Sequence, residues 1–143
     1  MKRFKQITSP YLILIRDNKI LLMRRINTGY EDGKYGLPSG HLEDKESIKE
    51  GLIREAKEEI GIGIKPQDLK LAHTMHRREA DSRVDFFFTV SSYIGTPVNN
   101  EPEKCDDLEW FPLNKLPANT IPYIKLAIEN SRKGIIYSEI GWE

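Results

Sequence analysis

The chain has 143 residues, with 22 basic and 22 acidic side chains and a single cysteine. That length supports one buried core and argues against a second catalytic domain, so one domain over residues 1–143 is expected. A formal net charge of zero argues against the basic footprint of a nucleic-acid binder, and one cysteine rules out an internal disulfide or a cysteine-built zinc cage.

The N-terminal stretch Met1 to Gln6 lacks the apolar region of a signal peptide, and the longest apolar runs are far too short to span a bilayer. A cytoplasmic location and a small-molecule partner, with neither nucleic-acid polymer nor membrane, are the expectations. Tyr11–Ile15 and Ile20–Met23 predict two strands joined by a tight turn at Asp17-Asn18-Lys19. From Asn27 to Gly40, the residues Gly29, Gly33, Gly36, Pro38 and Gly40 predict a shaped loop. Between Glu46 and Ile60, apolar Ile48, Leu52, Ala56 and Ile60 recur every fourth residue and draw one stripe along a helix, which Gly61 stops. Strands are predicted over Leu69–His76 and Val84–Ser91, with Phe86, Phe87 and Phe88 divided between the two faces of a sheet. A polar stretch from Thr96 leads to a short strand at Leu108–Phe111, a turn over Pro112–Pro117 and a second amphipathic helix over Ile121–Arg132, ended by Gly134. This order predicts an α/β (α+β) fold, a mixed β-sheet sandwiched between α-helices.

The segment Arg54-Glu55-Ala56-Lys57-Glu58-Glu59-Ile60-Gly61-Ile62 concentrates the chemistry. At about 100° per residue, Glu55, Glu58 and Glu59 project within about 100° of arc on one side of the helix. Like charges this close repel, and the C-terminal end of the helix dipole disfavours them further. Local stability therefore does not explain them, whereas a bound hard divalent cation does, because it reverses the sign of the local field. The plainer alternative is a solvated face in which Arg54 pairs with Glu58 one turn on.

More than the helix fits the metal reading. Gly40, Glu46, Arg54, Glu55, Ala56, Glu58, Glu59, Gly61 and Ile62 stand at every position of the Nudix box, so the chain resembles the Nudix (MutT-like) hydrolases. Tyr35-Gly36-Leu37-Pro38-Ser39-Gly40 is similar to the family's lead-in, with Ser39 in place of the first glycine of the usual pair. The resemblance implies a magnesium-dependent hydrolase, with manganese as a substitute, that splits a pyrophosphate bond in a nucleotide. It implies Glu55, Glu58 and Glu59 as metal ligands, joined by the Gly40 carbonyl. Glu55 is open to either ligation or deprotonation of the attacking water, and Glu46 and Arg54 would brace loop against helix. An acidic residue beyond the box often assists in such proteins. Glu101 is the favoured candidate here and Glu103 the other.

Substrate contacts are harder to read. Arg24 and Arg25 end a strand before the glycine loop, and Arg77 and Arg78 follow His76; Arg25 and Arg78 are taken as the phosphate-binding candidates. His73 and His76 match neither a zinc motif nor a catalytic pair, Trp110 is expected in the core, and Cys105 is read as a small semi-buried residue. The preferred substrate is a (deoxy)nucleoside triphosphate. The alternatives are a nucleotide sugar, dinucleotide or other nucleoside diphosphate derivative, or a nucleotide-binding module without catalysis. The assembly is left open, with room for a homodimer.

Overall fold

A computed structural model describes all of residues 1–143. Eight strands and two α-helices run in the order β1 (Ile7–Ile13), β2 (Ile15–Arg16), β3 (Lys19–Arg25), β4 (Tyr35–Gly36), α1 (Ile48–Ile60), β5 (Leu69–Arg78), β6 (Ser82–Val90), β7 (Cys105–Pro112), α2 (Pro122–Arg132) and β8 (Tyr137–Ile140). One sheet has the order β1-β6-β5-β8. It is mixed: β1 runs parallel to β6, β6 antiparallel to β5, and β5 parallel to β8. The other sheet is antiparallel and centred on β3, with β7 along one edge and β2 and β4 sharing the other.

Side-chain alternation along the strands divides the interior in two. Tyr11, Ile13, Ile20, Leu22 and Phe87 point into one core, which Ile124, Ala127 and Ile128 of α2 complete. Leu12, Leu14, Leu21 and Phe88 point into the other, against Leu52, Ala56 and Ile60 of α1. The helices therefore cover opposite faces, which is the expected sandwich. Phe87 does part company with Phe86 and Phe88, which border the α1 core.

The first hairpin differs from the sequence reading. Tyr11–Ile13 belongs to β1 and pairs with β6, far downstream, while only Ile15–Arg16 pairs back on β3. Asp17 and Asn18 take φ of 53° and 61°, the left-handed pair of a two-residue hairpin turn, and Leu14 is the fully buried link between the sheets. A local apolar run cannot reveal that its partner lies elsewhere in the chain.

The helix α1 starts at Ile48 because Ser47 caps it. Ser47 Oγ accepts from the Glu50 amide at 3.1 Å while the Glu50 carboxylate accepts from the Ser47 amide at 2.9 Å. It ends at Gly61, whose φ of 72° lets its amide turn back to the Lys57 carbonyl. Strands β4 and β8 lie outside the sequence expectations. The first is two residues within the glycine loop, and β8 is a short edge strand with alternating exposure. No helix is long and apolar enough to cross a membrane.

Candidate active site

Two stitches hold the glycine loop against the sheet. The Leu12 amide donates to the Pro38 carbonyl at 2.9 Å, and Tyr11 bridges Ser39. These bring Gly40 against α1 so closely that a Cβ there would fall inside the Glu55 carboxyl group. Glycine is required at this point by space rather than by φ.

Arg54 organises the surrounding charges. It holds the Glu46 carboxylate with two parallel bonds, at 2.6 and 3.0 Å, and donates to the His41 carbonyl at 3.0 Å. Its remaining nitrogen reaches Glu55 at 2.8 Å and Glu58 at 3.3 Å. This fork ties the loop after Gly40 to the helix by bidentate, charge-assisted bonds. The Arg54 guanidinium beside Glu46 holds that carboxyl below the usual glutamate range.

Glu59 is oriented differently. Its carboxylate accepts from the Ser39 amide at 2.9 Å, so Ser39 contributes through backbone, which its replacement of a family glycine does not alter. Burial, then the nearby Glu55 and Glu101 charges, push the Glu59 carboxyl well above its ordinary value. Burial also raises Glu55, helped by Glu58 and Glu101. Glu58 is the exposed member, with about half of its side chain in solvent (52%).

Glu101 comes to the same place because its loop finishes the helix. The Asn100 amide donates to the Glu59 carbonyl and the Val98 amide to the Ile60 carbonyl, satisfying acceptors that the end of α1 leaves unpaired. The Lys104 and Cys105 amides then close a turn on the Glu101 carbonyl. Glu103 is exposed and outside the cleft, its carbonyl accepting from Asn27.

Glu55, Glu58, Glu59 and Glu101 line one cleft of about 770 Å³, together with Arg24, Arg25, Lys104 and Cys105. Arg25 donates to the Tyr30 carbonyl at 2.8 Å and lies over the Tyr30 ring, while Arg24 is engaged by Asp106 in a two-bond pair. Arg78 is not brought to the cleft. Strand alternation turns it outward over Trp142, and its neighbour Arg77 enters instead, 2% exposed. Lys104 escaped the sequence reading altogether, since nothing local marks a lysine in a polar loop.

The remaining candidates are structural. His73 is fully buried, with its ring nitrogens 2.7 Å from the Ile135 carbonyl oxygen and 2.8 Å from Ser138 Oγ, so it fastens β8 to β5. His76 lies tilted against the Trp142 ring and contacts Gln6. Trp110 is half-buried beside the α1 core, away from the cleft. Cys105 is buried, and burial pushes its thiol up, against a nucleophilic role.

The donor set is all oxygen, which suits a hard divalent cation. Glu59 supplies the clearest test of fit, because a buried carboxyl crowded by Glu55 and Glu101 is disfavoured as an anion unless a positive charge joins it. The carboxylates are not drawn together as a closed cluster: Arg54 holds Glu55 and the Ser39 amide holds Glu59.

Two sheets between two helices, with a carboxylate-walled cleft beside a glycine loop, define an α/β protein whose site is suited to a hard cation. The NUDIX domain model matches residues 8–130, and the chain belongs to the Nudix hydrolase family. It is 30% identical to the ADP-ribose pyrophosphatase of Methanocaldococcus jannaschii, over 100% of this chain and 80% of that protein. It is 28% identical to the 8-oxo-dGTP diphosphatase of Escherichia coli, over 78% of this chain and 83% of that one. With the NAD-capped RNA hydrolase NudC of Stutzerimonas stutzeri it shares 24% identity over 82% of this chain, spanning only 41% of that longer protein. Among solved structures, the MutT Nudix hydrolase of Burkholderia pseudomallei superposes with a TM-score of 0.80 at 26% identity, covering 88% of this chain and 98% of that one. The MutT protein of Methanosarcina mazei Go1 gives 0.77 at 22% identity, covering 92% and 97%, a likeness of fold.

Proposed function

We propose that the chain hydrolyses a pyrophosphate bond of a nucleoside diphosphate derivative, with Mg²⁺ held by Glu55, Glu58, Glu59 and the Gly40 carbonyl, and with Mn²⁺ as a substitute. The observation that carries this reading is the meeting of Glu55, Glu58, Glu59 and Glu101 in one cleft with the basic Arg25 and Lys104. Divalent metal, when bound, neutralises the phosphate oxygens and lowers the pKa of water, the source of a nucleophile at neutral pH. The chain's own residues do the rest. Arg54 fixes the direction of Glu55, and the Ser39 amide fixes Glu59. Arg25 and Lys104 offer donors to phosphate oxygens. Glu101, which lines the same cleft, is our candidate to accept a proton from the attacking water, with Glu55 the alternative.

The preferred substrate is a (deoxy)nucleoside triphosphate, supported by the similarity to the Escherichia coli 8-oxo-dGTP diphosphatase. The archaeal ADP-ribose pyrophosphatase, aligned over the whole chain, favours a second reading in which the leaving group is a phosphorylated sugar. Incubation with a nucleotide panel and Mg²⁺, followed by product separation, tests both. Nucleoside monophosphate with pyrophosphate supports the first, and monophosphate with a sugar phosphate the second. Failure to form nucleoside monophosphate from any nucleotide of the panel, with Mg²⁺ or Mn²⁺, refutes both.

A further inference from the structure

Beyond the carboxylates the same cleft is lined by Ser9, Tyr11, Tyr30, Arg77, Arg83 and Tyr123, which the proposed hydrolysis leaves without a task. Arg77 is the unusual member, a guanidinium only 2% exposed in the wall of a polar cleft. Burying such a charge is costly unless its donors are matched. Two of its nitrogens are matched. Nε donates to the fully buried Asp85 at 2.8 Å, and Nη1 donates to Glu79 at 2.6 Å and to the Tyr30 hydroxyl at 3.3 Å. The guanidinium carbon lies 3.6 Å from the centre of the Tyr123 ring, which fixes the plane. Nη2 alone has no acceptor in the protein, and it belongs to a residue that lines the cleft.

The surroundings decide what that donor can take. Arg77 and Arg83 face three carboxylates, those of Glu79, Asp81 and Asp85. Their positive charge is already spoken for, so this end of the cleft is unsuited to a second phosphate. It favours a neutral acceptor. The Tyr11 and Tyr123 hydroxyls, 3.1 Å apart, share one hydrogen and leave polar capacity beside the guanidinium. Burial raises both phenols, which keeps them neutral.

We propose that Arg77 is a specificity-determining residue whose Nη2 donates to a carbonyl oxygen of the substrate's nucleobase, so that keto bases are selected over amino bases. The inference rests on the hydrolase reading and adds the substrate class at the part of the cleft lined by Tyr11, Arg77 and Tyr123. Arginine offers only donors, so an exocyclic amino group in the same position would set donor against donor and leave both unpaired. A site built to bond one polar group rejects the analogue lacking it more strongly than an apolar pocket rejects a change of shape.

Inosine and adenosine 5′-triphosphates differ at the 6-position of the purine, carbonyl against amino, and form the test pair. The wild-type protein with Mg²⁺ should show kcat/KM for the inosine nucleotide on the order of 10-fold higher or more, carried mainly by KM. Arg77→Lys keeps a cation for Asp85 but removes Nη2, and should bring the ratio to within about twofold. Tyr123→Phe keeps the ring under Arg77 and should lower the ratio about threefold. Equal wild-type turnover, or a preference that survives Arg77→Lys in a folded protein, overturns the proposal. The wild-type comparison is decisive even if that variant does not fold. If neither nucleotide is hydrolysed, calorimetric binding of inosine and adenosine diphosphates separates the two ideas. A tenfold tighter inosine nucleotide keeps the subsite, with the hydrolase reading then decided by the wider nucleotide panel, and equal binding overturns the subsite.

Discussion

Gly40→Ala isolates the contact on which the metal end of the cleft depends. A methyl group there would occupy the space of the Glu55 carboxyl, which must retreat by more than about 1 Å to reach ordinary van der Waals separation. The obstacle is a flexible side chain rather than backbone, so the fold should survive with a melting temperature within about 3 °C of wild type. Activity should not survive. A misplacement of about 1 Å in a catalytic constellation costs roughly 10²-fold, and the retreat also strains the 2.8 Å bond that Arg54 makes to Glu55. Steady-state hydrolysis of the best nucleotide at saturating Mg²⁺, with calorimetry of both proteins, measures the two quantities together. A variant that keeps kcat within about threefold of wild type would show that the position of Glu55 against Gly40 does not matter to turnover.

Glu58→Gln should reduce Mg²⁺-dependent turnover at least about 10²-fold while leaving the melting temperature unchanged or higher, and chelation of wild-type protein with EDTA should mimic it reversibly. The raised carboxyl of Glu59 gives a pH signature. Its contribution to stability is complete below the ordinary value of 4.5 and is lost as pH rises through its higher folded value, so EDTA-treated protein should soften toward neutrality. Glu59→Gln should flatten that decline, and Mg²⁺ should raise the wild-type melting temperature more at pH 8 than at about pH 5.5; parallel curves for variant and wild type would be the contrary result. Leu52→Ala, fully buried in the α1 core, should cost about 3 kcal/mol in urea unfolding, and a cost below about 1 kcal/mol would contradict the packing.

The carboxylate end of the cleft was more legible in the sequence than the rest because its residues lie close together along the chain. Helical spacing places Glu55, Glu58 and Glu59 without reference to any other element, and Gly40 follows from the box. Arg77 and Arg78 show the opposite case. They are adjacent and chemically alike, and which one faces the cleft depends on the register of β5, whose pairing with β6 shifts between Leu71 and His73. Similarly, β8 has only four residues with alternating half-burial, and buried His73 rather than apolar content holds it in place. Long-range pairing also undid the first hairpin, since the partner of β1 is a strand that arrives only after α1.

The division of the interior into two cores gives the two ends of the cleft separate foundations. Glu55, Glu58 and Glu59 ride on a helix anchored by Leu52, Ala56 and Ile60, whereas Tyr11 and Tyr123 grow out of the opposite core with Ile124 and Ile128. The two foundations meet where Tyr11 bridges Ser39, whose amide holds Glu59, so it is a change confined to α2 that leaves the carboxylate helix anchored. Lineages can therefore remodel what the far end of the cleft holds while inheriting the carboxylate helix intact. The same architecture would then serve relatives whose names record quite different substrates.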